Sequence, residues 1–410
     1  VERRCLLPED VRIHNRGLLL RLVNEDGPLS RRELARRTGL SIPTVATIVT
    51  ELLGQGYVVE SFATRRSNLR GPKASQVALV RDCTLVMGVD VGLDRIQIGL
   101  CDLSGLVPGV VEVPLCAGRT PSQALDAAVS AAVPLVDRAG ARLCGVGVGV
   151  PGPVDAAGRR SVVSLALGWR DVAVADRFER AFGMPATVEY NVRAMALAEV
   201  YHGLGRQAEN LLYVQVGDGV GFSFVVSGVP FRQGAHGVSE LGHHQVAQDG
   251  PRCVCGAIGC LEARLAEPYL RRRLRHVAKD CPALARALRR GLAPLSALSV
   301  SVRAGEGRAD AVLADFVEHL STAIALNVNV FSPTRVALGG ILADAPADVS
   351  NRLVEATRAR ICRVLREEVL IEQSMLGRYT GVLGAATSAL DHLLYRGGPA
   401  GLSPLARSSV

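Results

Sequence analysis

The chain has 410 residues, 48% hydrophobic, 4% aromatic and 21% charged, with a formal net charge of +8. This composition excludes a disordered or fibrous chain and predicts two or three domains of α/β type with a sizeable core. No apolar run reaches bilayer length and the start V-E-R-R-C-L-L-P-E-D does not read as a signal peptide, so a cytoplasmic protein with no membrane partner is expected.

The charge is uneven. Residues 1–80 carry thirteen Arg and Lys against eight Asp and Glu, which points to an acidic partner, nucleic acid first. Val11 to Val23 is apolar at helical spacing, and Asn24 to Pro28 is expected to break it. Ser30 can cap a second helix on Glu33, with Glu33 answering back, and Gly39 ends it. Ser41 caps a third helix, with Pro43 in its first turn, where a missing N–H costs nothing. A short helix, a glycine turn and a second short helix predict a helix-turn-helix. On the second of these, Ser41, Thr44, Thr47 and Thr50 face away from Ile42, Val45, Ile48, Val49 and Leu52. With Pro43 they form a surface small enough to enter the major groove. Two strands follow, Y-V-V-E-S-F-A and S-Q-V-A-L-V. The basic segment between them, with Arg65, Arg66, Arg70 and Lys73, reads as a wing for phosphates or a narrow minor groove.

The body alternates strand and helix signals. Leu85 to Val91 is a buried strand, R-I-Q-I-G-L-C-D a second, and Cys144 to Asp155 a strand entering a glycine–proline turn. After Glu262 comes a basic helix with a solvated face. Asp310 to Val328 and Pro346 to Arg366 read as long amphipathic helices. The tail from Gly397 is expected to be disordered, and no internal repeat is visible. Cytosolic cysteines stay reduced, so Cys5, Cys83, Cys101, Cys116, Cys144, Cys281 and Cys362 are expected to behave as small buried hydrophobes.

The densest chemistry lies between residues 243 and 260. His243, Cys253, Cys255 and Cys260 place one imidazole and three thiolates on a short stretch around two glycine turns. A Cys3His set predicts a closed, tetrahedral, structural Zn2+ site, because catalytic zinc keeps a position open.

The runs that contain these ligands, G-A-H-G-V-S-E-L-G-H and C-V-C-G-A-I-G-C-L-E, resemble the signature of the ROK family of bacterial sugar kinases and transcriptional repressors. From Met87 to about Leu390 the chain resembles a ROK domain. R-R-E-L-A-R-R-T-G-L-S-I-P-T-V-A-T-I-V-T-E-L-L is similar to the DNA-reading helices of ROK, MarR and GntR-type regulators. The resemblance implies an α/β fold, with a winged helix-turn-helix head ahead of a two-lobed, actin-like (ribonuclease H-like) sugar-kinase domain carrying a structural zinc loop. The expected division is a head at 1–80, a smaller lobe at 83–190 plus about 388–402, a larger lobe at 191–387, and a flexible tail at 403–410. It also implies that Glu240, His243 and Glu262 touch sugar hydroxyls, His243 using one ring nitrogen for zinc and the other for the ligand.

Several residues depart from the kinase pattern. Kinases of the family read E-N-D-A-N-A-A-A-L-A-E where this chain reads E-Y-N-V-R-A-M-A-L-A-E, so Asn191 replaces the catalytic aspartate and Arg193 the asparagine after it. Phosphoryl transfer needs a carboxylate to accept the hydroxyl proton; an amide can only hydrogen-bond the same hydroxyl. At the two phosphate turns Leu93 stands for glycine, and Asp94 and Asp218 for threonine, where carboxylates repel a triphosphate. Ala166 stands for a sugar-binding asparagine, and Ser239 for a glycine, which would narrow the pocket. L-G-G-I-L (Leu338 to Leu342) resembles the glycine pair near the family's adenosine site and has a packing explanation as well. The expectation is a sugar-responsive regulator, a repressor by the family's habit, that binds double-stranded operator DNA as a homodimer or homotetramer. It senses a sugar or sugar derivative through Asn191, Glu240, His243 and Glu262, and uses no ATP. The competing expectation is a ROK hexokinase-type sugar kinase that keeps ATP-dependent phosphorylation beside DNA binding.

Overall fold

The computed structural model describes residues 8–62, 75–116, 118–232 and 239–396. The wing residues Arg65, Arg66, Arg70 and Lys73 lie outside this range, as do Cys5, His236 and the tail 403–410.

The head contains helices α1 (Pro8–Asp26), α2 (Arg31–Thr38) and α3 (Ile42–Gly54) and strands β1 (Leu29–Ser30), β2 (Val58–Phe62) and β3 (Ser75–Leu79), ordered β1-β3-β2 in one sheet. Ser30 caps α2 by accepting from the Glu33 N–H at 3.1 Å, and Ser41 caps α3 by accepting from Thr44 at 3.2 Å. Gly39, at φ 71°, makes the left-handed turn between the two helices, which a residue with a Cβ resists. Leu19, Leu20, Leu34, Val45, Ile48, Val49 and Leu52 fill the core.

Helix α1 ends at Asp26, inside the segment Asn24 to Pro28 expected to break it, and the Asn24 side-chain amide donates to the Tyr395 hydroxyl at 3.3 Å. Two local expectations are corrected. Glu33 does not answer back to Ser30, since Arg36 and Arg37 claim its carboxylate. Ile42 is not on the buried face of α3. It is 57% exposed, because the first turn of the helix projects beyond the head core.

The body holds two five-stranded sheets of the same plan. In the first, β4 (Leu85–Val91) is flanked on one side by antiparallel β5 (Arg95–Asp102) and β6 (Val110–Pro114). On its other side lie parallel β7 (Leu143–Val150) and, after the hairpin β8 (Ser161–Ser164) and β9 (Trp169–Val172), β10 (Ala186–Tyr190). In the second, β11 (Asn210–Val216) has antiparallel β12 (Val220–Val226) and β13 (Val229–Pro230) on one side and parallel β14 (Arg335–Gly340) and β15 (Leu370–Gln373) on the other. The topology is duplicated although no repeat is visible in the sequence. Topology requires only matching apolar strands, which many sequences supply.

Helices cover both sheets: α4 (Pro121–Ala139) and α5 (Val174–Phe182) on the first, and the long helix Gly307–Phe331 on the second. That long helix is long and apolar enough to cross a bilayer, which corrects the expectation that no apolar run is. Its apolar window is 61% buried within the protein. The amphipathic stretch expected over Pro346 to Arg366 is two helices, Ala347–Arg360 and Arg363–Arg366, interrupted at Ile361.

Helix α6 (Asn191–His202) and the helix Thr380–Leu390 cross between the sheets, and every residue of α6 from Val192 to Tyr201 is buried. The head is not a detached module. Its core residues belong to one hydrophobic cluster with Tyr190, Met195, Leu197, Tyr201, Leu390 and Tyr395. Tyr201, near the end of α6, stacks on Tyr395 at 5.2 Å, bonds Asp391 at 2.5 Å, and lies 4.9 Å from the Arg21 guanidinium of α1. At the contact itself is Gly17, where a Cβ would stand 1.9 Å from the Tyr395 carbonyl oxygen.

Among the cysteines, Cys101 and Cys281 are buried as expected. Cys83 and Cys144 are half-buried, and Cys116 and Cys362 are exposed, because they lie on connections at the surface rather than inside elements.

Candidate functional site

A cleft of about 900 Å³ opens between the two sheets. The turns after β4 and β11, the loop after β7, the start of α6 and the segment 240–268 line it. It brings together Asn191, Glu240, His243 and Glu262, four residues spread over seventy positions of sequence, and adds Ala166, Leu93, Asp94 and Asp218.

Each side chain is held by its local structure. Asn191 opens α6, and its amide oxygen accepts from the Val192 N–H at 2.9 Å, so it serves the helix start while it faces the cleft. Helix α7 (Leu261–Leu265) presents Glu262, whose Oε2 accepts from the Val220 N–H at 3.2 Å. Burial pushes the Glu262 carboxyl above the usual range, and His243 partly offsets that. Glu240 is half-exposed, with Oε2 3.7 Å from His243 Nε2. The other ring nitrogen of His243, Nδ1, lies 3.3 Å from Cys253 Sγ.

That second nitrogen faces a cluster of residues that could hold a metal ion. The donor atoms of His243, Cys253, Cys255 and Cys260 all lie within 4.8 Å of one another. The Cys255 and Cys260 sulfurs are 3.6 Å apart. Sulfurs about 2.3 Å and a nitrogen about 2.0 Å from a central ion stand roughly 3.5–3.8 Å apart in a tetrahedron, close to the 3.3 Å of the His243–Cys253 pair and the 3.6 Å of the Cys255–Cys260 pair. The loop turns that gather them are short bridges, Gln245 with Cys260 and Arg252 with Ile258. Cys260 is fully buried and packs with Cys253 and Ala263.

Other expected residues are placed differently. Arg193 points away from the cleft and forms a buried ion pair with Glu189, whose second oxygen takes Arg232 at 3.2 Å. Ser239 lines a separate small cavity beside Phe224 and Phe331, so it does not narrow the cleft. Asp94 is paired with Arg95 at 2.8 Å, which cancels much of the repulsion expected of it. Asp218 accepts a hydrogen bond from the Leu93 N–H. His244 is exposed. The glycine pair Gly339–Gly340 is fixed by packing: Cβ atoms there would meet the Tyr213 hydroxyl and the Val216 carbonyl at 2.1 and 2.0 Å.

Sequence reasoning missed two cleft residues. Tyr190, beside Asn191, is buried in the floor. The carboxyl of Asp90, at the end of β4, is pushed up to about 7 by burial first and by Asp218 second, and its Oδ1 has no hydrogen-bond partner among the described residues. The adjacency of Tyr190 to the aspartate position is the available signal for the first. Nothing local marks the second.

On the head, Ser41, Pro43, Thr44 and Thr47 form an exposed face of α3 together with Ile42. The Thr47 and Thr50 hydroxyls donate to the carbonyls of Pro43 and Ala46, which turns their methyl groups outward. On α2, Arg31, Arg36 and Arg37 are ion-paired, whereas Arg32 is exposed and makes no ion pair among the described residues.

A model of the ROK family matches residues 86–392. The chain belongs to the ROK family. A winged helix-turn-helix DNA-binding model matches residues 14–59, ahead of the ROK domain. The xylose repressor of Bacillus subtilis is 26% identical over 93% of this chain and 96% of its own length. The Escherichia coli DNA-binding transcriptional dual regulator NagC is 26% identical over 93% and 95%. Among solved structures, a ROK family transcriptional regulator homologous to the E. coli Mlc protein covers 95% of this chain and 98% of its own, with TM-score 0.79 at 22% identity. A ROK hexokinase from Thermus thermophilus covers 74% of this chain and 97% of its own, with TM-score 0.59 at 30% identity. The two regulator sequences therefore match head and ROK domain together.

Proposed function

We propose that the chain is a sugar-responsive, DNA-binding transcriptional regulator of repressor type, whose ROK domain senses its ligand without phosphorylating it. The observation that carries this reading is Asn191 in the cleft wall, where a kinase needs a proton acceptor. An amide is far too weak a base for phosphoryl transfer, but it can hydrogen-bond a sugar hydroxyl. Glu240 and Glu262 would accept from vicinal hydroxyls, and the free nitrogen of His243 would donate. Two-fold operator DNA would be read by paired heads of a homodimer or of a homotetramer. The proposed division is a head at 1–80, lobes at 83–190 and 191–387, and a C-terminal segment returning to the smaller lobe.

The route from cleft to head is α6. Its first residue lines the cleft, its body is buried, and Tyr201 near its far end lies under Arg21 of α1. A ligand that favours one closure angle by about 1–3 kcal/mol shifts DNA occupancy usefully. The kinase alternative is tested by coupling ADP release to a panel of hexoses and N-acetylhexosamines. Hexose-dependent turnover is expected to be absent, and a rate within the ordinary enzymatic range of about 1–1000 s⁻¹ would overturn the assignment.

His243, Cys253, Cys255 and Cys260 fit Zn2+, which would brace the loop that carries the sugar contacts and fix which nitrogen of His243 holds a proton. Replacing Cys260 with Ser is expected to reduce bound zinc from about one ion per chain to less than about a tenth, since a hydroxyl is a poor zinc ligand. Metal analysis by mass spectrometry reads the loss. Sugar affinity is expected to fall with it, while the helix content of the head stays unchanged.

A further inference from the structure

We propose that Asp218 is a built-in anion: its carboxylate occupies a backbone N–H of the opposite lobe, latching the cleft and filling a place that an external phosphate would otherwise take. The contact joins the two lobes directly. Leu93 N–H, in the turn between β4 and β5, donates to Asp218 Oδ2, in the turn between β11 and β12, at 3.1 Å across 125 residues of sequence. The two turns occupy the same place in the duplicated topology, so each lobe offers its equivalent tip to the other.

Local geometry brings them close. Gly217 N–H closes a tight turn onto the Gly219 carbonyl at 2.9 Å, which projects Asp218 toward the first lobe. A Cβ on Gly92 would stand 3.3 Å from the same Asp218 oxygen. The Gly92 N–H is taken by the Arg95 carbonyl at 2.9 Å, so Leu93 supplies the single turn N–H that meets the carboxylate; a backbone N–H free at a turn can bind an anion, and here the anion comes from the chain itself. Asp94 does not compete for the role, since Arg95 holds it and its side chain is 62% exposed.

The latch is weak by construction. Asp218 lies among Asp90, Asp94 and Glu267, with Arg95 as an opposing cation among the described residues, and burial holds its carboxyl above the ordinary range. One hydrogen bond therefore works against like-charge repulsion, so a modest ligand-driven opening can release it. The sugar side touches the same turn, because Val220, two residues beyond Asp218, donates to Glu262. The latch is nonetheless independent of any sugar or duplex, and can fail while the regulator reading stands.

Hydrogen exchange on the full chain tests it. Asp218→Ala should raise exchange at the Leu93 amide by roughly tenfold or more. Inorganic phosphate at about 10 mM should then slow that amide in the variant and leave the wild type unaffected. Asp218→Ser, too short to reach Leu93, should behave in the same way and serves if the alanine variant folds poorly. Unchanged Leu93 exchange in both variants would overturn the proposal. So would phosphate protection equal in wild type and variant, or absent from both.

Discussion

Replacing Thr47 with Asp should reduce operator affinity by about a hundredfold or more and leave thermal stability within about half a kcal/mol. Thr47 is exposed on α3, and its methyl group points outward because its hydroxyl donates back to Pro43. A carboxylate there would enter a groove lined by phosphates and acceptor-rich base edges, and would have to lose its water without gaining a donor. Thr47→Ala removes the methyl contact and the hydroxyl's bond to Pro43 without adding a charge, and should cost about tenfold or less. Fluorescence anisotropy on a duplex selected from genomic fragments separates the two. Arg32→Ala on the same head should lower affinity for all sequences alike and reduce the salt slope by about one.

Gly147→Ala should destabilise the ROK domain by about 3 kcal/mol or more, a large part of a total stability of about 5–15 kcal/mol. The cause is steric. Gly147 lies in β7 where the helix Thr380–Leu390 crosses, and a Cβ would stand 1.8 Å from the Ala385 carbonyl oxygen. Gly88, its partner in β4, has the same problem at 2.0 Å from Val382. Neither backbone can retreat, since β4 and β7 pair with each other and the helix is packed on its other side by α6. A shifted denaturation midpoint with an unchanged slope is the expected signature. By contrast, Gly109 should tolerate Ala, because an added methyl there would have nothing within 4 Å.

The features legible in the sequence are those whose cause is local. Ser30 and Ser41 cap their helices because cap and recipient are three residues apart, and Gly39 turns where the chain needs a left-handed residue. The candidate Cys and His ligands are visible because they fall within eighteen positions, and the strand Leu85–Val91 because all of its residues but Asp90 are apolar or glycine. What escapes depends on distant partners. The bond from Asn24 to the Tyr395 hydroxyl joins residues 371 apart, and no local pattern announces it. Ile42 reads as core, yet it sits past the edge of the head. Arg193 reads only as a departure from the kinase pattern, and the fold pairs it with Glu189 in a buried ion pair. Asp218 reads as a source of repulsion, and only the fold brings the Leu93 N–H to it. The duplication of the two sheets is likewise a property of strand order, which no residue type encodes.

The central proposal is that a ligand in the ROK cleft, where Asn191 stands, changes the DNA binding of the head. The most direct measurement is the affinity of the full chain for its selected duplex, titrated with D-xylose, D-glucose, N-acetylglucosamine and their phosphate esters. At least one should change that affinity by about 5- to 150-fold, the range of ordinary allosteric coupling, and Glu262→Gln should abolish the change while leaving ligand-free DNA binding intact. Tight DNA binding that no sugar alters, or no DNA binding at all, would contradict it.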